Sequence, residues 1–181
     1  MQIWMAKMFE QKIDVATAQS AQSLNQPDFF ANVLGDLAEL LETIIGLQDA
    51  EGFISTVGSH IGKEISGLYP VAPGSADPDQ LGQVLLDLKT RIGGNFEVVS
   101  ADSTQIIMRA GRCPFGDKVT GRPSLCMMTT NVFGRVVADR NGYAHVTIDK
   151  SIARHDSHCH VVVALQIDEN APTSGSEFFA D

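Results

Sequence analysis

Apolar positions in this chain follow two periods, and the change from one to the other sets its expected architecture. From Phe30 to Leu47 they fall at Val33, Leu34, Leu37, Leu40, Leu41, Ile44 and Ile45, the spacing that lines one face of a helix. Phe53, Ile54, Val57, Ile61, Ile65 and Leu68 make a second stripe, weakened by Gly58, Gly62 and Gly67 but open to close packing against the first helix. The run PVAPGSADP from Pro70 to Pro78 reads as a loop. A third stripe at Leu81, Val84, Leu85, Leu88 and Ile92 follows, with Asp77 or Asp79 to cap it and Gly93-Gly94 to end it.

After those glycines the period falls to two. EVVSA and TQIIMRA are short and β-branched around Asp102-Ser103, which predicts a hairpin. Ser124 then stands as N-cap before Leu125, Met128, Val132, Phe133, Val136 and Val137, a fourth helix closed by Asn141-Gly142. YAHVTID and HCHVVVALQID read as two more strands joined by the polar RHDS turn. Helices first, then a hairpin, a helix and two strands is the order of an α+β fold: N-terminal helices packed on an antiparallel sheet around a single core. Residues 1–28 read as an arm or dimerisation helix ending at Gln26-Pro27-Asp28, residues 29–168 as the domain, and residues 169–181 as a flexible tail.

Composition narrows what such a domain would do. The 181 residues carry 22 acidic against 13 basic side chains, a net charge of -9. That balance disfavours a nucleic-acid partner, whose phosphates are held by clustered Lys and Arg. No apolar run approaches the ~20 residues of a membrane span, and MQIWMAKMFEQK is charged where a signal peptide would be apolar, so the expectation is a cytoplasmic protein without a membrane partner. Three cysteines cannot all pair within one chain, and in a reducing compartment they persist as thiols.

Those cysteines come from three separate elements. Cys113 follows a strand and is held extended by Pro114; Cys126 lies in the first turn of a helix; Cys159 opens the last strand. Alternation along that strand puts Cys159, Val161, Val163 and Leu165 on one face, with His158 and His160 on the other. With Ser124 as cap, Cys126 would sit near N2, where free N–H groups favour a thiolate. One reading is three buried reduced cysteines acting as small hydrophobes. The other is a soft metal site, zinc or an iron–sulfur cluster, on Cys113, Cys126 and Cys159. A fourth ligand would come from His155, His158, His160, Asp156 or outside the chain, and its place in the turn favours His155.

The stretch GRCPFGDKVTGRPSLCMMTTNVFGRVVADRNGYAHVTIDKSIARHDSHCHVVVAL resembles the methanogen output domain, a relative of the vinyl-reductase-like small-molecule-binding domains. The motifs that carry the likeness are CPFG, LCMMTTNVFG, the NGYA turn and the closing Cys-x-Val-x-Val. The resemblance implies helices on an antiparallel sheet, a place in regulatory proteins, dimerisation and, in relatives that sense aromatic compounds, zinc held by a cysteine cluster. Those relatives carry a further Cys where this chain has Ser151 and an acidic ligand where it has Ile148. Asp156 keeps the turn acid of the pattern, while His155 replaces its glycine.

The expected function is therefore a non-catalytic sensor or output module that binds a metal, cluster or small molecule and signals to a protein partner, as a homodimer. Two alternatives stand beside it: a tetrapyrrole vinyl reductase or its accessory protein, and a structural dimerisation adaptor. GSHIGKEISG lacks both the preceding strand and the spacing of a phosphate-binding loop, so it adds no support for a nucleotide enzyme.

Overall fold

The computed structural model describes residues 25–69, 77–168 and 174–180. The arm expected at 1–28, with Trp4, thus lies almost wholly outside the described residues, as do most of the loop after Tyr69 and part of the tail. Helix α1 spans Gln26–Ile45 and begins earlier than the sequence suggested. Asn25 is its cap, accepting the Asp28 N–H at 3.0 Å. Helix α2 spans Leu47–Gly67 and α3 spans Pro78–Arg91, the latter capped by Asp77 as expected.

A hairpin follows, β1 at Asn95–Ala101 and β2 at Gln105–Arg112. Two short 3-10 turns, Gly116–Val119 and Pro123–Leu125, lead into α4 at Cys126–Asn141. Strand β3 is Tyr143–Lys150, a further 3-10 turn is Ile152–Arg154, and β4 is Cys159–Ala164. Ser176–Phe179 forms β5, within the stretch whose composition suggested a loose tail. It pairs with β3, Tyr143 opposite Phe179 and Val146 opposite Ser176. The Tyr143 hydroxyl meets Glu177 at 2.7 Å, and Phe178 lies over Gly134, where any Cβ would fall inside its ring.

All five strands run antiparallel in the order β1-β2-β4-β3-β5, an α+β fold. One face of the sheet is hydrocarbon: Ile106 lies opposite Val163 and Met108 opposite Val161, with Val146 and Ala144 on β3. Helices α3 and α4 cover that face through Leu81, Leu85, Leu88, Phe133, Val136 and Val137, all buried. A smaller apolar cluster of Ala38, Val119, Leu125 and Ala153 adjoins this core under α1.

Helix α2 packs chiefly on α4, and its glycines serve that contact rather than one with α1. A Cβ at Gly58 would stand 2.9 Å from that of Asn131, and one at Gly62 would stand 3.2 Å from Asn131 O and Val132 Cα. The helix therefore turns its small residues inward and its stripe outward. Phe53, Val57, Ile61 and Leu68 are exposed, as are Val33, Leu34, Leu37, Leu40 and Ile44 of α1, which buries only Gly35 and Ala38. No helix among the described residues is long and apolar enough to cross a membrane.

Candidate functional site: three thiols around one chamber

Cys113, Cys126 and Cys159 line a single small cavity with Phe96, Val119, Leu125, Thr129, Ile148, Ala153 and Val161. Its volume is about 20 Å³, enough for roughly one water molecule. Each sulfur arrives by a different route. Cys113 stands just past the end of β2, where the extended chain turns at Pro114. Cys126 is the first residue of α4. Cys159 opens β4 opposite Ala110, on the face shared with Val161 and Val163, as alternation required.

The Ile152 N–H donates to Cys159 at 3.5 Å, while the Phe115 backbone and the Ser151 side chain lie where they favour the charged form of Cys113 and Cys126. Ser151, itself fully buried, is thus held against the chamber by the turn, where its backbone N–H donates to Asp156 Oδ2 at 2.8 Å.

Two expectations about these residues are corrected. Ser124 does not cap α4: it lies inside the preceding 3-10 turn, its N–H donates to Glu42 Oε1 at 2.8 Å, and its buried hydroxyl has no partner. Without that cap Cys126 gains no favoured thiolate. Burial pushes its thiol up to about 11, outweighing the Ser151 side chain, and raises that of Cys113 as well. His155 is exposed, closing the 3-10 turn with φ 67, and does not line the chamber. His158 and His160 face Ser157 and Asp149 instead. Among the described residues, no group of three or more His, Cys, Asp or Glu side chains is arranged to hold a metal ion.

The residue that the pattern of cysteines did not reveal is Lys89. It is 3% exposed, and its ammonium donates to Thr129 Oγ1 at 2.8 Å over the faces of Phe96 and Phe133. Burial pulls its proton affinity down to about 8, while the three thiols around it work in the opposite direction. Its position was readable: four residues after Leu85, it lies on the buried face of α3 with Leu81, Leu85 and Leu88.

Helices packed on one face of a five-stranded antiparallel sheet, with a thiol-lined chamber between them, define a small α+β domain without a nucleotide-binding crossover. The chain belongs to the methanogen output domain 1 family, whose model matches residues 33–164. Among solved structures it is similar to the phenol-responsive sensory domain of the transcription activator PoxR with phenol, at TM-score 0.59 and 13% identity over 74% of this chain and 73% of that one. At that identity the likeness is one of fold. No curated protein matches the sequence.

Proposed function

We propose that residues 29–168, completed by β5, form a non-catalytic sensory and output module whose input is taken at the thiol chamber. Its occupant in this reading is a soft metal centre, zinc or an iron–sulfur cluster, on Cys113, Cys126 and Cys159. The observation that carries it is the meeting of three thiols from three separate stretches of chain on one void, with the Ile152 N–H already donating to Cys159. Such donors accompany metal-bound sulfur and steady its negative charge. The donor set suits a soft ion, and loading would draw the sulfurs inward from their present spacing. With His155 on the surface, a fourth position stays open to solvent or a signal molecule. Membership of an output-domain family and the fold of a phenol-responsive sensory domain support the signalling role.

The same reading makes the module a homodimer. The outward stripes of α1 and α2 form a continuous series from Val33 to Leu68, with Ile44 70% and Leu68 75% exposed. Apolar surface of that extent is covered by a partner in a stable protein. Residues 1–28 would extend this contact, and the partner that receives the signal would read the dimer.

Elemental analysis with an optical spectrum of anaerobically purified protein tests the centre. Zinc or iron in stoichiometric amount, lost in Cys126→Ser and kept in His155→Ala, is the expected result. A metal-free, colourless protein of ordinary stability would leave the cysteines as apolar filler and the chain as a dimerisation adaptor.

A further inference from the structure

A second, open groove runs between the start of α1, the end of α3 and the segment after Cys113. It is lined by Pro27, Phe30, Leu34, Ile92, Phe115 and Met128 among others, has a volume of about 260 Å³, and contains one charged residue, Lys89. The lysine stands between this groove and the thiol chamber: it lines the groove, while its ammonium reaches Thr129 and the Phe96 ring, both walls of the chamber.

That ammonium has no carboxylate partner among the described residues. Its contacts are one hydroxyl and two ring faces, which leave two of its three N–H donors without an oxygen. The titratable groups that face it are Cys113, Cys126 and Cys159. Buried charges in folded proteins are paired, because an unpaired one forfeits its hydration with nothing in return. The side chain that carries this cation also lines a groove otherwise apolar, where an incoming anion would meet no other charge.

We propose that this groove binds a small organic acid, an aromatic or short aliphatic body seated against Phe30, Leu34, Ile92 and Phe115 with its carboxylate on the ammonium of Lys89. The volume sits at the small end of small-molecule sites, room for one ring and a short substituent. Because Lys89 also faces the thiols, a carboxylate in the groove alters the charge beside Cys113, Cys126 and Cys159, which joins the groove to the chamber through one side chain. The proposal goes beyond the metal-centre reading, and its failure leaves the metal analysis untouched.

Calorimetric titration of the purified full chain with benzoate and with its neutral isostere benzamide is the test. Benzoate is expected to bind at least about 10-fold more tightly than benzamide, the worth of one charge-assisted contact. In Lys89→Met that preference disappears, and in Phe30→Ala, an exposed position that leaves the core intact, both probes weaken together. Equal binding of the two probes to the unaltered chain, binding of neither, or a benzoate preference that survives Lys89→Met would overturn it.

Discussion

The two ends of the helix-covered sheet face are built on opposite terms. Toward β3 and the middle of β4, side chains such as Ile106, Val146, Val163 and Val137 are fully buried hydrocarbon, and every contact there stabilises the fold. Toward the start of β4 and the end of β2, the space over the same face is lined by the thiol of Cys159 from the sheet, those of Cys113 and Cys126 from beyond β2 and from α4, and the ammonium of Lys89 from α3, around a void. Nothing in the packing of the first end requires the composition of the second. The difference teaches that the chamber is where the molecule gives up stability, and a place that gives up stability is where function is sought.

The comparison can be broken first at its stable end. Ile106→Ala should lower unfolding free energy by about 3–4 kcal/mol in chemical denaturation, since Ile106 is wholly buried between Val163 and α3. A loss below about 1 kcal/mol would mean the hydrocarbon end is not the main source of stability.

At the other end the sign should reverse. Burial lowers Lys89 from its ordinary 10.5 to about 8, so its charged form is the disfavoured one in the folded chain. Between about pH 8 and 10.5 the unfolded chain holds this proton and the folded chain does not, and stability contributed by this residue rises with pH. Cys126, at about 11 against an ordinary 9, works the other way above pH 9. In metal-free protein Lys89→Met should therefore gain about 1–2 kcal/mol at pH 7, after the lost Thr129 hydrogen bond and ring contacts are counted. It should also lose the rise in stability between pH 8 and 9. Destabilisation at pH 7 would show that the lysine is a structural pin.

A smaller effect is expected where the late strand joins. Gly134→Ala would displace Phe178, and with it β5, at a cost of about 1–3 kcal/mol by hydrogen exchange of the β3 and β5 amides. Exchange elsewhere in the sheet should be unchanged. The smallest effect on folding, near zero, is expected for the exposed Ile44→Asp, which should instead abolish the dimer proposed above in analytical ultracentrifugation.

Much of this was legible in the order of residues because helix and strand periods are local. The helices α1 to α4, the first hairpin and the inward aim of Cys159 follow from spacing alone. What spacing could not supply was the partner of each face. Most of the stripes of α1 and α2 read as core and are exposed, with Ile54 and Ile65 alone of the α2 stripe packed on the core clusters; on α2 this follows because Gly58 and Gly62 let it approach α4 on its small-residue side. Strand β5 was hidden since SEFF is short and set among polar residues, and its place depends on Gly134, over forty positions earlier. Ser124 has the composition of a cap, but the 3-10 turn that Pro123 begins places it one residue before the cap position, which Leu125 holds. Lys89 was concealed by its type: a lysine on a helix is ordinarily a solvated residue, and only its place one turn after Leu85 marks it as inward.

The chamber as an input site is tested most directly by titrating reduced, metal-free protein with cadmium ion and following the thiolate-to-metal charge-transfer band. One ion bound per chain, with the band lost or sharply weakened by Ser at each of positions 113, 126 and 159 in turn, is the predicted result. No such band, or one that survives any single replacement unchanged, would contradict it.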